Sequence, residues 1–219
     1  TPLYSSAASD VYKRQPYIVG LDKWLGGELD DAAKTYLKDF GAATASNGAV
    51  GLYHVENITP EAVKYGKDLI AEDAKVYVVD DAELQRVYES YPVIWKKKDA
   101  KPKLCFMGCP HMSLQQLIDW TEKVSQSLKE AGRTRVCIPT VFTAAPAVLK
   151  KFQETPYAET LKATGVITSY ICPLMYMNNP LSEKMPVITS SNKLRTYTSA
   201  RYYTDAEILE QITKGGADR

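Results

Sequence analysis

The feature that most constrains the fold is a repeated alternation of short apolar segments with amphipathic helical segments, which begins near Leu29 and continues along the chain. Capping signals mark several helix starts, such as Thr59 before Pro60 and the capping box of Ser113 and Gln116. The predicted helices span residues 30–40, 59–71, 80–89, 113–128, 147–153, 158–163 and a last segment from 204, and the predicted strands span residues 49–55, 75–79, 103–107, 135–140 and 166–171. This alternation predicts a mostly parallel sheet covered by helices on both faces.

Composition divides the chain into segments. Residues 92–102 contain two prolines and a run of lysines, and we interpret them as a linker. The linker separates a first α/β lobe, residues 16–91, from a second α/β lobe, residues 103–219, which carries the cysteine turns described below. Residues 1–15 have no apolar period and resemble translated library-linker sequence, so we interpret them as a non-native or disordered tail and exclude them from the fold.

Charge and composition exclude several classes of protein. The 219 residues are 45% hydrophobic and 24% charged, which is ordinary for a globular chain. A net charge of +1 gives no reason to expect nucleic-acid binding, and we interpret the run Lys96-Lys97-Lys98 as a solvated loop. No apolar run approaches the roughly 20 residues that a membrane span needs. Cysteines are too few for a disulfide scaffold, which favours a reducing, cytoplasmic setting.

Two cysteines occupy turns that directly follow predicted strands, Cys109 in the run Gly-Cys-Pro-His and Cys172 in the run Ile-Cys-Pro-Leu. Ligands of parallel sheets bind beyond the carboxyl ends of the strands, so the strand predictions place both cysteines and His54 at one crevice. Thiolates are the ligands of iron-sulfur clusters, and the helix predicted after Cys109 favours its thiolate form. The alternative for each is a small buried residue in a tight turn. Cys105 and Cys137 lie inside apolar strands and are predicted to be core residues.

Polar runs suggest where an anionic substrate would bind. Residues 189–193, Thr-Ser-Ser-Asn-Lys, offer hydroxyl groups and the ammonium of Lys193, whose alternative role is a surface lysine. Ser46-Asn47-Gly48 are predicted to form a polar turn that presents backbone N–H groups to an anion, or simply a tight loop. His54 and His111 are the chain's histidines, and His111 is the stronger candidate for a functional contact because it lies beside Cys109.

Together with residues 46–54 and the helix start Ile-Thr-Pro-Glu-Ala at residues 58–62, these cysteine turns and the 189–193 run resemble the large subunit of the aconitase X family. That family includes hydroxyproline dehydratases and mevalonate phosphate dehydratases. The resemblance extends from near Pro16 almost to Arg219 and covers only the C-terminal half or so of a family large subunit. It implies an aconitase-like three-layer α/β/α fold with mostly parallel sheets, present here incompletely.

The resemblance also implies a function: an iron-sulfur hydro-lyase that removes water from a small hydroxy acid such as cis-3-hydroxy-L-proline. Cys109 and Cys172 would be metal ligands of a cluster of undetermined type, and its third ligand is expected upstream of this fragment. The residues implied in substrate binding are Ser46, Asn47, Gly48, His54, His111, Ser191 and Lys193. The general base of the wider family is a serine on a small swivelling domain, in a separate or fused subunit. We therefore expect no catalytic base in this chain and no activity of the fragment alone.

Other functions remain open. Dehydration of mevalonate 5-phosphate would require a second anion site for the phosphate. The departures from the family pattern are Ser190 in place of asparagine, Asn192 in place of alanine and Thr196 in place of histidine, and they bear on substrate identity more than on reaction type. A non-catalytic fragment or a cluster-binding scaffold is the alternative from another class. A thiol redox protein is disfavoured because the chain contains no Cys-x-x-Cys motif.

Overall fold

A computed structural model describes residues 15–177, 179–180 and 182–215. The chain divides into two compact units at the bond between Tyr91 and Pro92. Apart from Gln15, the segment predicted to be a tail lies outside the described residues. Within the described part of the chain, no helix is both long and apolar enough to cross a membrane.

The first unit contains a short parallel sheet and three α-helices. Strand β1 pairs with strand β2, and Tyr17 lies opposite His54. The bounds are β1 Tyr17–Ile18, α1 Asp31–Gly48, β2 His54–Val55, α2 Pro60–Tyr65, a 3₁₀ turn Gly66–Leu69, and α3 Asp81–Glu89. The buried apolar cluster of this unit is small and is centred on Leu37, Val55 and Ile58.

Helix α1 begins as predicted but ends later. The side chain of Asp30 accepts a hydrogen bond from the amide of Ala33 at 2.8 Å, which caps the first turn. The helix was predicted to end at Gly41, and this is wrong, because it continues to Gly48. A β-carbon at Gly41 would lie 3.5 Å from the ring of Tyr53, so the glycine allows this aromatic ring to approach the helix backbone rather than ending the helix.

Two strand predictions in the first unit fail. The predicted strand at residues 75–79 forms no ladder in the described chain, and Val76, Tyr77, Val78 and Val79 are 90, 70, 71 and 62% exposed. The predicted strand at 49–55 shrinks to His54–Val55. Helix α2 was predicted to end near residue 71 but ends at Tyr65. The next residue, Gly66, adopts a positive φ of 56°.

The second unit is built on a five-stranded parallel sheet with the order β5-β4-β3-β6-β7. Its strands are β3 Leu104–Met112, β4 Thr140–Ala144, β5 Ile167–Ser169, β6 Val187–Thr189 and β7 Arg201–Tyr202. Its helices are α4 Leu114–Glu130, α5 Pro146–Gln153, α6 Pro156–Ala163, α7 Pro173–Met177, α8 Asn192–Tyr197 and α9 Asp205–Lys214. The predicted α/β class with parallel strands is confirmed.

Local capping signals located the helices of this unit well. Ser113 Oγ accepts a hydrogen bond from the amide of Gln116 at 3.1 Å, and the Gln116 side chain accepts one from the amide of Ser113 at 2.9 Å. Thr204 and Glu207 form the second capping box, at the start of α9. The strand predicted at 135–140 begins only at Thr140. The amide of Val136 donates to the carbonyl of Thr164, just past α6, and the amide of Cys137 donates to that of Ile212 in α9, so neither joins a ladder.

Residues 92–102 pack as part of the second unit. The indole of Trp95 is buried and donates a hydrogen bond to the carbonyl of Ser199 at 2.9 Å. Val93 and Ala100 pack against the same apolar core. The segment predicted to be a linker therefore contributes core side chains.

Cys105 is fully buried in β3, and burial raises the pKa of its thiol. The thiol stays protonated in the folded chain, whereas in the unfolded chain it ionises near its ordinary pKa of 9.0. A raised folded pKa contributes stability that is complete below about pH 9 and is lost as pH rises further. We expect the free energy of unfolding to fall, through this group, by about 1.4 kcal/mol per pH unit above that point.

The measurement is urea unfolding of the wild-type chain and Cys105→Ala between about pH 8 and pH 10.5. The difference in free energy of unfolding between the two should shrink as pH rises, because the variant lacks the titrating thiol. A difference that stays constant over this range would contradict the burial of Cys105.

Candidate functional site

A change of register in β3 turns Cys109 away from the face that holds Cys105. Residues 105–107 pair regularly with β4, and the register then shifts before Met112. Cys105 and Met107 belong to the apolar core packed beneath α4, whereas Cys109 belongs to a second cluster with Phe106 and Leu194. In a regular strand Cys109 would share the face of Cys105, since side chains alternate with a period of two. The irregularity therefore places Cys109 on the side of α7 and α8.

Gly108 makes this register change possible. Its φ is +97°, a conformation that residues with a side chain rarely adopt. The hydroxyl of Thr143, on the neighbouring strand β4, donates to the carbonyls of Gly108 at 2.6 Å and Met107 at 3.2 Å. The peptide bond between Cys109 and Pro110 is cis. The buried Thr143 side chain thus fixes the backbone immediately before Cys109.

Cys109 was predicted to lie in a turn after a strand that ends at residue 107, and this is wrong, because β3 continues through Cys109 to Met112. Ser191 connects this part of β3 to helix α8. Its hydroxyl donates a hydrogen bond to the carbonyl of Cys109 and accepts one from the amide of Leu194 at 3.0 Å, which caps the helix. Its own amide donates to the side chain of Thr189 at 3.1 Å. With these two bonds, the Ser191 hydroxyl holds the backbone of Cys109 in position relative to α8. This differs from the direct substrate contact that the sequence suggested for Ser191.

Several neighbouring groups influence the pKa of the Cys109 thiol. Burial is the main effect and raises the pKa of the Cys109 thiol. A hydrogen bond from Ser191 lowers this pKa, the nearby thiol of Cys172 raises it, and the ammonium of Lys193 lowers it. Cys172 and Lys193 are therefore both close enough to Cys109 for their charges to act on it.

Cys109, Cys172 and Lys193 reach this place from the carboxyl ends of three parallel strands. Cys109 lies late in β3, Cys172 follows β5 and starts the turn into α7, and Lys193 lies in α8 after β6. The rings of Phe106 on β3 and Tyr176 on α7 stack with centroids 5.3 Å apart, which holds α7 beside Cys109. The arrangement places two cysteines and a lysine after the carboxyl ends or late parts of strands in one sheet.

The remaining predicted site residues divide between the two units. His111 is half-buried in β3, two positions beyond Cys109. In the first unit, His54 is buried, and its Nε2 lies 2.9 Å from the side-chain oxygen of Gln15.

The polar turn predicted at residues 46–48 does not form, because these residues are the last turn of α1. Ser46 donates to the carbonyl of Ala42 at 2.7 Å and Asn47 donates to that of Ala43 at 3.0 Å. The carboxyl end of a helix carries partial negative charge, which disfavours an anion. Local structure therefore gives no support to anion binding by Ser46, Asn47 and Gly48.

Comparison with known proteins shows which family this chain resembles. A family model described as Aconitase X second domain matches residues 6–89, a range that includes most of the segment predicted to be a tail. The crystal structure of Thermococcus kodakaraensis aconitase X in its holo-form superposes with a TM-score of 0.67 and 22% sequence identity, over 94% of this chain and 50% of that chain. Over residues 6–89 this chain is therefore similar to the second domain of the aconitase X family, and its fold is similar to that of aconitase X.

Several curated relatives of this chain share a name. The phosphomevalonate dehydratase large subunit of Methanosarcina mazei is 29% identical over 192 residues, which is 85% of this chain and 43% of that protein. The protein of the same name from Thermococcus kodakarensis is 31% identical over 127 residues, 58% of this chain and 30% of that protein. The chain thus spans less than half the length of these relatives.

The two thiols can be compared with the needs of a metal site. Among the described residues, no group of three or more histidine, cysteine or acidic side chains converges to hold an ion. Two neighbouring thiols at one sheet edge do match the sulfur chemistry of an iron-sulfur cluster. Burial keeps the Cys109 proton in place, and metal binding would release it, since the thiolate is the ligand. The described residues thus supply two thiols of suitable chemistry, and a cluster would need further ligands.

Some residues of the site carried no usable sequence signal. Gly108 and Thr143 fix the backbone before Cys109. Their contact joins two separate strands, so no pattern of neighbouring residues in the sequence indicates it. Cys137 was predicted to be a core residue, and this is wrong. It is half-buried and lines a cavity near the amino-terminal ends of β3 and β4. Its backbone, bonded to Ile212 rather than to a strand, keeps it outside the sheet core.

Proposed function

We propose that this chain is part of the large subunit of a hydro-lyase that removes water from a small hydroxy acid, with Cys109 and Cys172 as ligands of an iron-sulfur cluster. The observation that carries the proposal is the convergence of Cys109, Cys172 and Lys193 at the carboxyl ends of strands in one parallel sheet. A third ligand would come from the part of the subunit that the longer relatives possess. The reducing cytoplasm would keep such thiols available.

Each residue of the site would have a separate task. When bound, an iron-sulfur cluster supplies a Lewis-acidic iron that makes the substrate hydroxyl a better leaving group. Lys193, half-buried beside the thiols, would bind the substrate carboxylate or phosphate and orient the substrate. Ser191 would keep the distance between Lys193 and Cys109 fixed through its two hydrogen bonds. The buried apolar side chains around Phe106 would limit access of water on one side.

The favoured substrate is mevalonate 5-phosphate. The matched curated relatives are named phosphomevalonate dehydratase large subunit, and this supports it over cis-3-hydroxy-L-proline, which the sequence suggested first. The same name supports a small subunit as partner, and we place the general base on that subunit. cis-3-Hydroxy-L-proline remains the second candidate because Ser190 and Asn192 depart from the usual polar run beside Lys193.

The test uses the complete large subunit, obtained by extending the reading frame, with its small subunit and a cluster reconstituted without oxygen. Turnover of mevalonate 5-phosphate and cis-3-hydroxy-L-proline is measured in parallel. We expect dehydration of the first and no dehydration of either substrate by the 219-residue chain alone. Failure of the complete enzyme on both substrates, with the cluster present, would reject the proposal.

In that complete enzyme, Lys193→Gln is expected to lower kcat/KM about 30-fold, or about 2 kcal/mol of transition-state stabilisation. The physical reason is the loss of a charge-assisted hydrogen bond to the substrate anion. The matched control is Lys162→Gln, a well-exposed lysine on α6, which should leave kcat/KM unchanged. Equal kinetics of the two variants would assign Lys193 to the surface.

A further inference from the structure

A cavity of about 270 Å³ lies near the amino-terminal ends of strands β3 and β4 in the second unit, whereas Cys109 lies toward the carboxyl end of β3. Pro102 and Ile138 line it, and each lies two positions before the start of a strand, β3 and β4 respectively. Cys109 instead lies near the carboxyl end of β3, so the strands separate the cavity from the thiol site. The volume is just below the range of about 300–1,000 Å³ that is typical of drug-sized ligands, which suits a small metabolite.

Positive charge dominates the lining of this cavity. Lys98, Lys101 and Arg201 contribute cations, and Asp99 contributes a carboxylate. Gly215, just past the carboxyl end of α9, adds partial negative charge from the helix, although the carbonyl of Ile212 is already bonded to the amide of Cys137 at 2.7 Å. Three full positive charges against one negative charge leave the cavity attractive to anions.

Arg201 is held in place before any ligand binds. Its guanidinium lies 5.0 Å from the ring centroid of Tyr203 and 5.8 Å from that of Trp95. It also donates one hydrogen bond to the carbonyl of Lys98 at 3.4 Å, and a guanidinium has five N–H donors. A cation fixed between aromatic rings loses little conformational entropy when an anion binds.

We propose that this cavity binds a small oxyanion, either a phosphate group or a carboxylate group, through Arg201, Lys98 and Lys101. Arginine presents a planar pair of donors that matches both kinds of oxyanion, and the lysines add charge from the loop before β3. The site includes part of the lysine run that the sequence suggested to be only a solvated loop. It is separate from the thiol site and does not depend on the proposed dehydratase activity.

Cys137 provides a local reporter because it lines the cavity and is half-buried. Cys172 is also half-buried but follows β5 at the opposite edge, so it serves as an internal reference. The chain, purified without added metal, is labelled with iodoacetamide, and peptide mass spectrometry gives a rate for each cysteine. Inorganic phosphate and acetate are titrated separately, with sodium chloride at matched ionic strength as the control.

We expect phosphate or acetate to slow alkylation of Cys137 at least threefold at saturation, with no change at Cys172. Protection by phosphate alone identifies a phosphate site, and protection by acetate alone identifies a carboxylate site. Equal slowing by sodium chloride, equal slowing at Cys172, or no slowing by either oxyanion would overturn the proposal.

Variants locate the anion within the cavity. Arg201→Gln should weaken binding about tenfold or more, since it removes the charge-assisted bonds. Lys98→Gln, in an exposed loop, should weaken it about threefold without endangering the fold. Lys97→Gln is the matched control, because this neighbouring lysine does not line the cavity, and it should bind as the wild type does. Unchanged protection in both Arg201→Gln and Lys98→Gln would overturn the assignment.

Discussion

Gly108→Ala is expected to lower the free energy of unfolding of the second unit by about 3–5 kcal/mol. Alanine would have to adopt a φ near +97°, and its β-carbon would lie 2.3 Å from the carbonyl oxygen of Thr143 and 2.7 Å from its hydroxyl. The clash is with the backbone of β4, an interior strand of the sheet, which cannot move without disturbing both neighbouring strands. Urea unfolding followed by tryptophan fluorescence measures the loss.

Gly132→Ala separates backbone strain from the clash. Gly132 also has a positive φ, +64°, but no atom lies within 4 Å of the position of an added β-carbon. This variant should lose only about 1 kcal/mol, the cost of a left-handed alanine. Losses of equal size in the two variants would show that Thr143 does not confine Gly108.

Cys109→Ala is expected to abolish stable cluster binding in the complete large subunit, with affinity for iron reduced at least about 100-fold. Removal of residues that only support metal ligands already costs about 10–100-fold, and loss of a ligand should cost more. The measurement is iron and acid-labile sulfide per subunit after reconstitution without oxygen, together with the visible absorbance of the cluster. These readouts do not require knowledge of the substrate.

The matched control is Cys105→Ala, which removes a thiol from the same strand but on the opposite face of the sheet. This variant should bind iron normally and lose stability, because it leaves a small cavity in the core. Full iron content in Cys109→Ala, or loss of iron in Cys105→Ala, would place the cluster elsewhere.

The sequence predicted those parts of the fold that depend on neighbouring residues. The capping boxes at Ser113 and Thr204 located two long helices, because a cap needs only residues three positions apart. The α/β class followed from the alternation of these helices with apolar segments. Gly41 misled the prediction of a helix end, since its role is contact with Tyr53, which comes from another segment.

The candidate site was predicted in part. The Gly-Cys-Pro and Ile-Cys-Pro runs pointed to Cys109 and Cys172, and in the structure the charges of Cys172 and Lys193 act on the Cys109 thiol. The face on which Cys109 lies could not be predicted, because the register shift depends on Thr143 from another strand. The role of Ser191 was hidden for a similar reason, since its hydroxyl meets a carbonyl distant in sequence.

The exposed run Val76–Val79 has a practical consequence for anyone who purifies this chain. An exposed apolar segment that belongs to no ladder can accept a strand from another molecule. Among the described residues no strand pairs with this segment. At high concentration we expect the same segment of another copy of the chain to pair with it. Solubility and apparent melting temperature then become functions of protein concentration rather than fixed properties of the fold. Stability measurements on the chain therefore belong at the lowest concentration that gives a signal.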